Sequence, residues 1–125
     1  MVLVEMQGFE FDWFARDDAG EYAVFATAGS GPVPEEVADA CMQHRAIGEQ
    51  IAVTGWGTSE VWKSFSNVGL FAYDWDDQRR CYARMAVPDR PVDAALSARL
   101  VEIVLPTLPL SFGERPIILA STNPL

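Results

Sequence analysis

The chain is expected to fold as one α+β domain: an antiparallel sheet of four to six strands with two or three helices packed on one face. Three observations point there. Its 125 residues have the length of a single domain, and half of them are hydrophobic and 11% aromatic, so a substantial core is within reach. Two turn signals are each flanked by aromatic segments, the pattern of β-hairpins, which sets antiparallel order. Two other segments open on proline and carry apolar residues at helical spacing. There is no βαβ pattern carrying a glycine-rich phosphate loop.

The first hairpin runs from Phe9 to Thr27. Over Phe9–Ala15 a strand places Phe9, Phe11 and Trp13 on one face and Glu10, Asp12 and Phe14 on the other. Asp17-Asp18-Ala19-Gly20 turns, and Glu21–Thr27 returns with Tyr22, Val24 and Ala26 opposite in face to Ala23, Phe25 and Thr27. Ala28-Gly29-Ser30-Gly31-Pro32 breaks the sheet and reads as a flexible joint. Pro34-Glu35-Glu36 then opens a helix to about residue 47, its acids complementing the helix dipole. Val37, Cys41 and Met42, flanked by Arg45, are its expected inner stripe, and Gly48 its expected end or bend. Ile51-Ala52-Val53 fits strand or helix. Thr58 or Ser59 suits the cap of a short helix over 60–65.

The second hairpin spans Val68–Val87, with Asp76-Asp77-Gln78-Arg79 as its turn. Pro91 sits well in the first turn of a helix over 92–105, whose buried face would be Val92, Leu96, Leu100, Ile103 and Val104. Pro106 and Pro109 stop it. A last strand is expected over Pro116–Ala120.

Charge is the most informative feature for function. Residues 1–40 hold nine acids and one base, Arg16, a balance of −8; the other 85 residues hold nine acids and eight bases, a balance of −1. An acidic end on an otherwise balanced domain suggests a surface built to meet something positive. With a net charge of −9, nucleic acid and anionic membranes are not expected partners. The opening MVLVEMQGFEF lacks the pattern of a signal peptide, and no apolar run approaches the roughly twenty residues of a membrane span. A cytoplasmic setting is therefore expected, with Cys41 and Cys81 as reduced thiols.

Catalytic and metal motifs are weak. Cys41 and His44 lie three apart on the expected helix, but zinc usually takes three or four ligands, and there is no second histidine. A buried thiol beside a surface histidine is the expected arrangement. Ser30 between Gly29 and Gly31 falls short of a nucleophile elbow, because Ala28 and Pro32 stand where glycines would be required. Asp74, Asp76 and Asp77 lack the glycine and terminal glutamate of an EF-hand loop and read as a solvated turn. No pair of carboxylates is singled out for glycoside cleavage. No cofactor and no enzymatic activity are expected. Of four tryptophans, Trp13, Trp62 and Trp75 read as core, whereas Trp56, between Gly55 and Gly57, should be partly exposed and suits an interface anchor.

Residues 11–37, FDWFARDDAGEYAVFATAGSGPVPEEV, resemble the opening of small bacterial immunity-type proteins encoded beside polymorphic toxins. The shared order is an aromatic D-W-F strand, an acidic turn with glycine, a strand ending in T-A-G, and a proline-started helix. Residues 69–91, GLFAYDWDDQRRCYARMAVPDRP, are similar to their second hairpin. These motifs are structural. They imply a binding protein that neutralises a cognate toxin in the cytoplasm. The charge pattern agrees on separate grounds, since an acidic inhibitor gains association rate against a basic toxin. The expected contact residues are Asp17, Asp18, Glu21, Glu35, Glu36, Asp39 and Trp56. Two other roles fit the same features: a non-catalytic adaptor or chaperone of another bacterial system, and, with less support, a small enzyme using carboxylates in a cleft.

Overall fold

A computed structural model describes residues 1–119. Strands β1 (Leu3–Val4), β2 (Asp12–Arg16), β3 (Tyr22–Ala26) and β4 (Val33–Pro34) lead into helices α1 (Glu35–Asp39), α2 (Cys41–Gln50) and α3 (Glu60–Ser66). Strands β5 (Phe71–Asp76) and β6 (Cys81–Ala86), helix α4 (Ala94–Leu100), a 3-10 turn (Phe112–Glu114) and strand β7 (Ile117–Leu119) follow. Five strands form the main sheet in the order β2-β3-β5-β6-β7, while β1 and β4 pair separately. The α+β class follows directly from these elements.

Both expected hairpins are present and antiparallel, with Trp13 opposite Phe25 and Trp75 opposite Tyr82. They meet in the middle of the sheet through a parallel pair, β3 with β5. The cause is the connection. Between β3 and β5 the chain passes through three helices and so re-enters the sheet from the same end, which a tight hairpin cannot do.

Strand alternation divides the core in two. Phe11, Trp13, Phe25, Tyr73, Trp75 and Tyr82 point to one face of the sheet. Phe14, Tyr22, Val24 and Ala72 point to the other, under Ile47 and Ile51, Phe65 of α3, and Leu96 and Leu100 of α4. Helices α2 to α4 thus share one face. The opposite face is closed by Val33 of β4, Val37 of α1 and the chain carrying Leu108, Leu110 and Phe112.

Aromatic stacking orders that first face. The Trp13 and Phe25 rings stack at 4.2 Å, and those of Phe25 and Tyr73 at 4.9 Å. Trp13 Nε1 donates to Tyr82 Oη at 3.3 Å, and Tyr82 Oη donates to the Pro32 carbonyl at 2.8 Å. This ties Pro32, at the end of the 28–32 segment, to the sheet. A Cβ on Gly31 would stand 2.6 Å from Tyr82 Oη, so the glycine there serves close approach.

Three helix expectations change. The first helix is broken at Ala40, whose φ of −112° and ψ of 24° restart the turn. The inner stripe of α2 is therefore His44 and Ile47, and Met42 faces solvent. Gly48 does not end α2, which runs on to Gln50; a Cβ there would make only an ordinary contact, 3.9 Å from the Cβ of Asp12. The last helix is shorter than expected, because Asp93 rather than Pro91 starts it: its carboxylate accepts from the Leu96 amide at 3.2 Å. Leu96 and Leu100 are buried as expected, and Val104 is exposed. Strand β7 fits the expected last strand, of which Ala120 lies outside the described residues.

Candidate docking surface

The acids of the first forty residues differ in burial. Asp17 is only 2% exposed. Its Oδ1 accepts from the amides of Ala19 and Glu21 at 3.0 and 2.8 Å, and its Oδ2 accepts from the Phe112 amide at 2.9 Å. It clamps the turn to the 3-10 segment and is not a contact residue. Asp18 and Glu21 are exposed on that turn. Glu35, Glu36 and Asp39 are exposed on α1.

Glu36 and Asp39 line a cleft of about 390 Å³ together with Ala40, Met42, Gln43 and Val104. Met42 is 68% exposed and Val104 45% exposed. The backbone of Val104 is tied to α2 at both ends: its amide donates to Gln43 Oε1 at 2.9 Å, and its carbonyl lies 2.9 Å from His44 Nε2. The Phe14 amide donates to His44 Nδ1 at 3.0 Å. Nδ1 is thus the acceptor, and Nε2 carries the proton that bonds Val104. Burial holds the His44 pKa below its ordinary value, while the Val104 bond pulls the other way. His44 is not the surface residue expected from sequence; it is a fully buried fastener between β2, α2 and the 104 segment. Cys41, expected to be buried, is only partly so and packs toward the first face.

The second cleft, of about 250 Å³, is lined by Glu10, Phe11, Asp12, Arg45, Gly48, Glu49 and Trp56. Trp56 is 73% exposed, as expected of a residue between glycines. It stands at the apex of a defined turn, in which Gly55 and Gly57 have φ of 76° and 83° and Thr58 Oγ1 donates to the Gly55 carbonyl at 2.7 Å. Asp12 lines the same cleft. Burial first, then the nearby charges of Glu10 and Asp74, push the Asp12 pKa up to about 6. The register explains the proximity of Asp74: Asp12, Ala26 and Asp74 stand side by side across β2, β3 and β5. Sequence reasoning missed Asp12 as a site residue, although the alternation of the strand had already put it on the face of Phe14. It also missed Met42 and Val104.

The two clefts lie at opposite ends of the outward face of α2, where Met42, Ala46 and Glu49 are exposed. Glu36, Asp39 and Trp56 share this side with them, whereas Asp18 and Glu21 line neither cleft. No protein-family model, curated protein or solved structure matches this chain. At the second hairpin, the aspartates serve the turn. Asp76 accepts from the Gln78 and Arg79 amides, and Asp77 accepts from Trp75 Nε1 at 3.1 Å and Ser30 Oγ at 3.2 Å. No helix of the described residues is long and apolar enough to cross a membrane.

Proposed function

We propose that this chain is an immunity-type protein that binds a basic bacterial toxin in the cytoplasm and neutralises it through α1 and the outward face of α2. One observation carries the reading: Met42 and Val104 are exposed in the same cleft as Glu36 and Asp39. An apolar centre with a charged rim is the anatomy of a protein interface, and methionine is enriched at such centres. The acids steer a basic partner and the apolar side chains retain it. The resemblance of residues 11–37 and 69–91 to immunity-type proteins supports the same assignment.

The test is co-expression with the toxin encoded by the neighbouring gene. The chain should co-purify with it and restore growth, and Met42→Asp should abolish both while the variant stays folded. Full protection by Met42→Asp would overturn the assignment of this face.

A carboxylate-using enzyme is favoured by a single observation, the raised pKa of Asp12 in an open cleft. The two readings separate cleanly. If Asp12→Asn forms the toxin complex with unchanged affinity yet gives no protection, the enzyme reading holds; if protection follows affinity, binding suffices.

A further inference from the structure

We propose that the cleft between Trp56 and α2 seats one arginine side chain of the protein partner, stacked on the Trp56 indole and paired with Asp12 and the rim carboxylates Glu10 and Glu49. The inference rests on the reading above, that the partner is a protein with a basic surface.

Shape is the first argument. The cleft, at about 250 Å³, is smaller than the roughly 300–1,000 Å³ of sites for drug-sized ligands. It suits one long side chain. Its wall is an aromatic ring held out on two left-handed glycines, with most of its surface open. An indole presented in this way is the best aromatic platform for a cation.

Charge complementarity is the second. Three acids and one base line the cleft. The base, Arg45, is occupied elsewhere, with its guanidinium 5.3 Å from the centre of the Phe9 ring. Among the described residues it makes no ion pair with Glu10, Asp12 or Glu49. The charged groups around Asp12 are Glu10 on its own chain segment, Asp74 on β5, and Arg45 and Glu49 on α2. Burial first, and then the charges of Glu10 and Asp74, raise the pKa of Asp12, and an incoming cation would oppose that shift.

The third argument is that the chain seats one of its own arginines in this manner. Arg80 lies over the Trp75 ring at 5.2 Å, with its guanidinium nitrogens 2.9 Å from Asp77 and 3.3 Å from Glu5. One tryptophan and flanking carboxylates there hold one guanidinium. The Trp56 cleft offers the same groups with the guanidinium still to come. A planar, forked cation meets both the ring and the carboxylates, so arginine is favoured over lysine.

The test uses the full chain, isotopically labelled, titrated with Nα-acetyl-arginine amide and, as a neutral isostere, Nα-acetyl-citrulline amide. The arginine probe should shift the Trp56 indole N–H saturably, and citrulline should not. At saturation the Asp12 pKa should fall by about one unit or more, as expected of a carboxylate meeting a guanidinium. Asp12→Asn should lose the Trp56 response, and Trp56→Ala should lose the fall in the Asp12 pKa; Asp12→Asn removes a half-buried charge and keeps the fold. A Trp56 signal that does not move, or that moves equally with both probes, overturns the proposal. The probe needs no toxin, so the two readings fail separately. A silent cleft beside intact toxin binding removes only the arginine seat, and a saturable arginine response without any toxin complex removes only the immunity assignment.

Discussion

A carboxylate withdrawn from water needs partners for its oxygens, and Asp17 and Asp12 meet that need differently. Asp17 is supplied by three backbone amides. Asp17→Ala should cost roughly 2–4 kcal/mol in denaturant unfolding, because it strips a charged acceptor from the buried Phe112 amide. It should leave the affinity of the folded protein for its partner unchanged. Asp12 has a raised pKa instead, so the native state holds its proton more tightly than the unfolded chain does. Its contribution to stability is whole below about 3.8 and is lost as pH rises through about 6. Asp12→Asn should therefore match the parent in stability at pH 3.5 and exceed it by roughly 2 kcal/mol at pH 7. His44 acts with the opposite sign. Its pKa is lowered, so its contribution is whole above about 6.5 and declines as pH falls below that value. The two slopes have opposite signs, and site-resolved NMR titration of each residue separates them.

At the scale of elements, α2 is where sequence and structure diverge most usefully. The break at Ala40 shifts the helix register, which buries His44 and Ile47 and turns Met42 outward. Ile47→Ala should cost about 2–5 kcal/mol, the range for deleting a buried aliphatic side chain. Met42→Ala should change stability by less than about 0.5 kcal/mol, since an exposed side chain has little burial to lose. Equal losses from both would restore the continuous helix and its inner stripe at Met42. The strands were legible because a period of two is local: Trp13 and Phe14 declare their faces through immediate neighbours. The helix boundaries were not, because Ala40 carries no breaker signal, and at the last helix the capping by Asp93 prevailed over the signal of Pro91. The partly buried position of Asp12, the main cause of its raised pKa, was legible in the alternation; the smaller contribution of Asp74 was not, since Asp74 comes near only through the parallel joining of the hairpins.

At the scale of the molecule, the charge asymmetry that dominates the sequence is redistributed by the fold. Asp17 is consumed by a turn, Asp12 is withdrawn into the cleft that Trp56 also lines, and Glu5 is paired with Arg80. What remains outward near α2 is Glu10, Glu35, Glu36, Asp39 and Glu49, around exposed apolar side chains. The face is thus smaller than composition suggests and better defined. Rim charges act mainly on the association rate and buried anchors on dissociation. The most direct test is the salt dependence of the association rate with the toxin proposed as its partner, measured for the parent chain and for Glu35→Lys/Glu36→Lys/Asp39→Lys. The parent should associate faster as salt is lowered, and the triple variant should lose at least about tenfold in rate at low salt with a flattened or inverted dependence. Unchanged kinetics in the triple variant at low salt would contradict the account.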